Sequence, residues 1–368
     1  MIEASAERAV PPCEHFGSCG GCALQHWQDA PYRRWKADLL RGALQRAGYE
    51  CSPAPLSVSP PRTRRRMDLG LRREGGGVRV GLHVPRGATL VDLQECHVLH
   101  PALFALLAPL RTLLRGLPAL RREGSAVANL LDAGPDLLLH LDAAPSAADR
   151  AQLAAFAQAN GLPRIACAVG NAPPEPVCLL RPATTRLAGT VVTPPPGAFL
   201  QATAEGEAAI VAAVLAGLPE KLTARARIAE LFAGCGTLTF ALAGRARVAA
   251  CEGDTGAVAA LQAAANAAGL AGRIAATRRD LARQPLAAGE LSAFAAVVLD
   301  PPLAGAAAQS AQIAASGVPR VVYVSCNPAA LARDARLLRE AGYRLLAAAP
   351  VDQFPWSARL ESVTVFAR

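Results

Sequence analysis

Charge is scarce in this chain of 368 residues: 18% are Asp, Glu, Lys or Arg, against 52% hydrophobic. That balance excludes long disordered regions, which need the opposite composition. No apolar run reaches the roughly 18 residues of a membrane-spanning helix. The strongest candidate, HPALFALLAPLRTLLRGLPAL, is interrupted by Arg and Pro. The opening MIEASAERAVPPCEHF has no apolar core followed by a small-residue cleavage site, so a secretory signal is not expected. There is no internal repeat. A cytoplasmic protein without a membrane partner is expected, with length for two domains.

What charge there is leans positive. A net charge of +9 and a pI near 9.3 point to an acidic partner, with nucleic acid the first candidate. Ten cysteines in a cytoplasmic protein suggest metal or catalysis rather than disulfides. Three of them, Cys13, Cys19 and Cys22, stand in CEHFGSCGGC, where glycines let the backbone fold around an ion. Such a set needs a fourth ligand. Cys96 in VDLQECHVLHP is the best candidate and Cys51 its rival, and four thiolates suit tetrahedral zinc or an iron–sulfur cluster. His15 and His97 read as bystanders or as groups supporting the ligands.

Residues 29–48 have the apolar spacing of an amphipathic helix, with Asp29 as its cap candidate. A Pro/Ser-rich connector leads into RTRRRMDLGLRR, where Arg62, Arg64, Arg65, Arg66, Arg72 and Arg73 suit phosphate contacts. Residues 67–95 read as a small antiparallel sheet turning at Gly75–Gly77 and Arg86–Gly87. Residues 101–185 read as mixed helix and strand without evident chemistry.

From about residue 225, strands and helices alternate as in a doubly wound sheet. RIAELFAGCGTLTFALAG is a strand, a Gly234-Cys235-Gly236 turn and a helix, and Glu252 ends the next strand, placed to accept from ribose hydroxyls. There is no third spaced glycine and no Gly-Lys-Ser/Thr, which disfavours dinucleotides and P-loops and leaves S-adenosylmethionine the better match. Asp280 follows another strand and suits an adenine amino group. Asp300, before Pro301 and Pro302, is a rigidly held carboxylate at a strand's carboxyl end.

The stretch VVYVSCNPAALARD is a buried strand running into a helix, with Asn327 as N-cap and Pro328 at its first position. Cys326 lies at that junction, where helix amides and dipole favour a thiolate. A cysteine in such a place also serves as inert packing. The C-terminal VDQFPWSARLESVTVFAR reads as two strand segments around FPW. Glu361 alone reads as an ordinary strand acid.

Together CEHFGSCGGC, FLQATAEGE, ELFAGCGT, CEGD, LDPPLAG, YVSCNPAALARD and DQFPWSARLES carry a resemblance across nearly the whole chain. The chain resembles the S-adenosylmethionine-dependent RNA uracil-5-methyltransferases, in particular the iron–sulfur members acting on 23S ribosomal RNA. The resemblance implies Cys326 as nucleophile and Glu361 as general base. It implies Gln201, Phe232, Glu252, Asp280 and Asp300 as cofactor and substrate contacts, and Cys13, Cys19, Cys22 and Cys96 as ligands of a [4Fe–4S] cluster. The implied fold is α/β: a Rossmann-like doubly wound methyltransferase domain (191–368) and a smaller α+β RNA-binding domain (52–190) that completes the cluster site. These follow a cluster-binding loop (1–24) and a linking helix (25–51), with no accessory N-terminal barrel. Leu303, Arg359 and Thr237 stand where the family usually has Arg, His and, in some members, Asn. A monomer acting on RNA is expected; the same chemistry on transfer RNA, or methylation of a non-RNA substrate, are the alternatives.

Overall fold

The computed structural model describes residues 5–368 and forms two large sheets, each with its own core, and a two-stranded ladder of Thr185–Leu187 with Thr190–Val192. The C-terminal sheet has eight strands. Across it lie Ser57–Val58, Arg344–Asp352, Glu361–Ala367, Arg320–Ser325, Ala296–Leu299, Arg227–Leu231, Arg247–Glu252 and Ile274–Arg278. All run parallel except Glu361–Ala367, which is antiparallel to both neighbours. Helices fill the crossovers, so both faces are covered and the central strands read as unbroken apolar runs such as Ala296–Leu299, buried throughout. This is the doubly wound fold expected. Chain order reverses between Arg227–Leu231 and Ala296–Leu299, and the crevice at their carboxyl ends is where such sheets bind ligands.

The other sheet has seven strands, across which lie Leu90–Asp92, Gly77–His83, Arg66–Glu74, Glu123–Leu131, Gly134–Leu141, Arg164–Val169 and Glu175–Leu179. It is antiparallel except where Gly134–Leu141 and Arg164–Val169 run side by side. That parallel pair needs a crossover, supplied by helix Ala147–Ala159, which starts on a Ser146–Asp149 capping box. Leu107, Leu110 and Leu114 of helix Leu107–Arg115 join Leu153 and Phe156 in a core under the sheet.

The helix Asp29–Arg46 has Gln28, not Asp29, at its N-cap, and Asp29 instead bonds Arg33 one turn on. Although early in sequence, the helix belongs to the C-terminal core: Leu40, Leu44, Ala47 and Tyr49 pack with Tyr323, Leu331 and Phe366. Ser57–Val58, which falls in the stretch expected to join the smaller sheet, adds an edge strand to the C-terminal one. Its two residues carry no readable pattern; the partner strand at Val351–Asp352 selects it. No helix among the described residues is long and apolar enough to cross a membrane.

Candidate active site and thiol cavity

Cys326 follows the last residue of strand Arg320–Ser325 and precedes helix Pro328–Glu340. Asn327 caps that helix as expected, its side chain accepting from the Ala329 amide at 3.0 Å. The antiparallel ladder pairs Ser325 with Ser362, so the next residues outward are Cys326 and Glu361. Thirty-five positions apart, nucleophile and base candidates meet at one sheet end. Asp300, at the end of the neighbouring strand, joins them.

The electrostatics reverse one expectation. The Cys326 thiol is pushed up to about 11, first by burial and then by the Glu361 and Asp300 carboxylates; its own amide and Arg359 oppose this. Helix amides therefore do not win here: burial of the thiol outweighs them first, and the nearby carboxylates add to it. A thiol of that pKa is ionised in about one molecule in ten thousand at neutral pH. Glu361 is raised well above an ordinary carboxylate, by burial first and by Asp300 second, and Asp300 is raised by burial. Both carboxyls therefore bind their protons more tightly than ordinary carboxylates do.

A hydrogen-bond chain joins these carboxylates. Asp300 accepts from Gln201 Nε2 at 3.1 Å, Gln201 Oε1 accepts from Gln353 Nε2 at 2.7 Å, and Glu361 Oε2 accepts from the same Gln353 nitrogen at 3.0 Å. Gln201, Gln353 and Glu361 are all buried. Sequence reasoning placed Gln201, Asp300 and Glu361 but missed Gln353, since a glutamine beside a strand end has no signal without its partners.

Phe232 and the Gly234–Gly236 turn follow strand Arg227–Leu231 at the topological switch, and Glu252 and Asp280 lie at the ends of the next two strands outward. Phe232 adopts a left-handed backbone (φ 64), rare for a bulky side chain, and Gly236 (φ 103) cannot gain a Cβ without meeting the Phe240 ring. Glu252 accepts from the amides of Gly234 and Asp254, both at 2.8 Å, which closes the glycine turn against the next strand. Each carboxylate oxygen keeps a second lone pair. Asp280 sits at the end of strand Ile274–Arg278 and accepts from the Ala282 amide at 3.1 Å, half of it exposed to solvent. The position matches a nucleoside-binding acid; the contact it makes here is a turn cap. Of the three departures, Thr237 opens helix Thr237–Ala243, Leu303 is half-exposed with its carbonyl accepting from Asn327, and Arg359 faces the cavity described next.

Cys13, Cys19, Cys22 and Cys96 line one cavity of about 420 Å³, while Cys51 packs against the C-terminal core instead. Burial pushes the Cys22 thiol up to about 12, and the other three thiols add to the shift, as gathered sulfurs must. The Gly21 amide points at Cys19 Sγ and the Leu99 amide at Cys96 Sγ, both at 3.4 Å. Arg64, Arg66 and Arg359 also face this space and balance negative charge. Among the described residues no three His, Cys, Asp or Glu side chains close around a single ion. Four thiols around one cavity are the donor set that a four-iron cluster, with one thiolate per iron, would require. His15 Nε2 accepts from the Gln94 amide at 2.9 Å, pinning the two cysteine-bearing loops together rather than facing the thiols as a free ligand.

The arginine run is only partly available for phosphate. Arg73 donates to the carbonyls of Leu114, Arg115, Leu117 and Leu120, closing the end of a helix, and Arg65 pairs with Glu207. Both are structural, which corrects the reading of all six as phosphate contacts. Arg66 instead lies over the exposed Phe199 ring, 5.6 Å from its centre.

Comparison with known proteins decides the family. A model of the tRNA (uracil-5-)-methyltransferase family matches residues 197–368. A relative from Brucella suis biovar 1, named an uncharacterised RNA methyltransferase, is 40% identical, covering all of this chain and 86% of the relative. The chain belongs to the RNA uracil-5-methyltransferase family. A member from Halomonas elongata, named 23S rRNA (uracil(1939)-C(5))-methyltransferase RlmD, is 37% identical, covering 99% of this chain and 77% of the relative. The Pyrococcus abyssi tRNA (uracil-54, C5)-methyltransferase, solved with S-adenosyl-L-homocysteine, shares the fold: TM-score 0.72 and 19% identity, covering 100% of this chain and 87% of that one. This family's enzymes use S-adenosylmethionine to methylate carbon 5 of uracil in RNA, and S-adenosylmethionine is the cofactor this chain was expected to use.

Proposed function

We propose that this uracil-5-methyltransferase acts on ribosomal RNA through a covalent Cys326–uracil adduct, with Glu361 removing the carbon-5 proton. The observation that carries the reading is the meeting of Cys326, Glu361 and Asp300 at adjacent strand ends, electrostatically joined. Uracil carbon 5 is a poor nucleophile. Addition of the Cys326 sulfur at carbon 6 moves electron density to carbon 5 and oxygen 4, and the thiol proton passes to a base within the site. S-adenosylmethionine would be held at Phe232, the Gly234–Gly236 turn, Glu252 and Asp280, and would supply an electrophilic methyl group to carbon 5, leaving as S-adenosylhomocysteine. Glu361 then takes the carbon-5 proton, the carbon–sulfur bond breaks, and the ring recovers its double bond. Gln201 and Asp300 meet the polar edge of the base and select uracil. The uridine must leave its stack to enter this crevice.

The preference for ribosomal over transfer RNA rests on similarity to the Halomonas enzyme. The four cysteines hold a [4Fe–4S] cluster in this reading, and its role is to shape the loops that present Arg64, Arg66 and Arg359. The sheet of residues 66–179 and the surface around Arg62, Arg66 and Arg72 carry the RNA, in a cytoplasmic monomer. RNA bearing 5-fluorouridine tests the covalent route, because carbon 5 then has no proton to lose. A protein–RNA band that survives denaturation and vanishes in Cys326→Ala is expected. Its absence with total 5-fluorinated RNA and intact cofactor binding would refute the adduct.

A further inference from the structure

Gln353 lies just beyond strand Arg344–Asp352, which pairs Val351 with Glu361. It is 1% exposed, and its three polar contacts are all internal. The Ala202 amide donates to Gln353 Oε1 at 2.9 Å. A backbone amide is only a donor, so it fixes which end of the Gln353 side chain is oxygen and turns both Nε2 hydrogens the other way. One goes to Gln201 Oε1 and the other to Glu361 Oε2. Gln201, its oxygen so engaged, must present its own nitrogen to Asp300. A single main-chain N–H thereby sets the direction of the whole chain from Glu361 to Asp300.

This leaves Glu361 with unequal oxygens. Oε2 is held by Gln353, while Oε1 is buried and has no partner among the described residues. An unpaired buried carboxylate oxygen is unfavourable unless something arrives to use it. The packing keeps the arrangement fixed. A Cβ on Gly206 would come within 2.7 Å of the Gln353 Cβ, so only glycine lets helix Ala204–Gly217 close over this side chain. Thr203 caps the same helix and contacts Ser59 at 2.6 Å, bracing the segment that carries Gln201 and Ala202.

We infer that Gln353 is the positioning residue of the base: it clamps Oε2 of Glu361, aims Oε1 at the substrate, and sets the orientation of Gln201 toward Asp300. The inference rests on Glu361 acting as the base. Gln353 touches no reacting atom, so its loss impairs proton removal more than adduct formation. Losing a donor to a charged group slows adduct resolution about tenfold to a hundredfold. Addition of Cys326 to carbon 6 proceeds as before.

The test uses the full-length protein, S-adenosylmethionine and total RNA from cells lacking the enzyme. Denaturation-resistant protein–RNA adduct and 5-methyluridine are followed in time. Gln353→Met removes the amide at similar volume. Gln353→Glu keeps the shape and the acceptor for Ala202 but replaces the two-hydrogen donor by a carboxyl group facing Glu361, and it decides the matter if the Met variant melts early. Both are expected to accumulate adduct with turnover reduced about tenfold or more, as Glu361→Gln does more severely. Wild-type behaviour in both variants, or parallel loss of adduct and turnover, while Glu361→Gln still traps adduct, overturns the role of Gln353 and leaves the base intact. Unchanged turnover without adduct in Glu361→Gln instead removes the reading beneath it.

Discussion

Replacing Glu361 by Gln should make Cys326 more reactive, not less. A general base that activated the free thiol would predict the opposite. The Cys326 thiol stands at about 11, roughly two units above its ordinary value of 9.0, with burial the larger cause and the Glu361 charge the next. Burial survives the substitution, so only part of the shift is recovered. One unit is a tenfold change in thiolate, and about tenfold is the upper expectation. The sign depends on pH. Glu361 is itself raised, by burial first and by Asp300 second, so its charge appears at higher pH than an ordinary carboxylate's, and while it is protonated the two proteins should alkylate alike. Once the wild-type carboxylate is ionised it holds the thiol neutral, while Gln does not. The assay is the rate of Cys326 carbamidomethylation between pH 7 and 11, read by peptide mass spectrometry to separate it from the other nine cysteines. Wild-type reactivity rising with a midpoint below 9, or an indifferent Glu361→Gln variant, would refute this electrostatic account.

Other expectations follow from the same contacts. Protein isolated without oxygen should be brown with about four irons, and Cys96→Ser should lose the colour and iron; colourless protein containing zinc would contradict the cluster. Lys36 and Asp352 form a fully buried pair at 2.8 Å, and Lys36 also holds the carbonyls of Phe354 and Arg359. Lys36→Met leaves the buried Asp352 charge without its cation, held only by the Tyr32 hydroxyl and the Phe354 amide, and should lower unfolding free energy by about 3 kcal/mol in urea titrations, with a change below about 1 kcal/mol counting against it. Arg66→Ala should weaken RNA binding and reduce the salt slope by about one, whereas Arg73→Ala should lower the melting temperature and leave that slope alone.

The local signals were the legible ones. Asn327-Pro328 announces a helix because a cap and a preset φ act within three residues, and helix Pro328–Glu340 begins there. Gly234-Cys235-Gly236 marks its turn for the same reason, and the apolar runs at 296–299 and 321–324 form central strands. What was hidden depends on partners far along the chain. Lys36 reads as part of a basic helix face, yet it is buried against Asp352, 316 residues away. Arg65 and Arg73 look like their neighbours in sequence and are distinguished only by Glu207 and by a helix end that folding brings to them. Cys326 shows the limit most plainly. Its helix terminus was visible locally, but what outweighs it is burial first and then the carboxylates of residues 361 and 300. Gln353 carries no pattern until Gln201, Ala202 and Glu361 surround it.

The most direct test of the central claim is release of tritium to water from RNA labelled at uracil carbon 5. With S-adenosylmethionine, wild-type protein should release one tritium per 5-methyluridine formed. Cys326→Ala should release none, and Glu361→Gln should form the adduct yet retain the label. Methylation by Cys326→Ala with normal tritium release would contradict the covalent route on which the account stands.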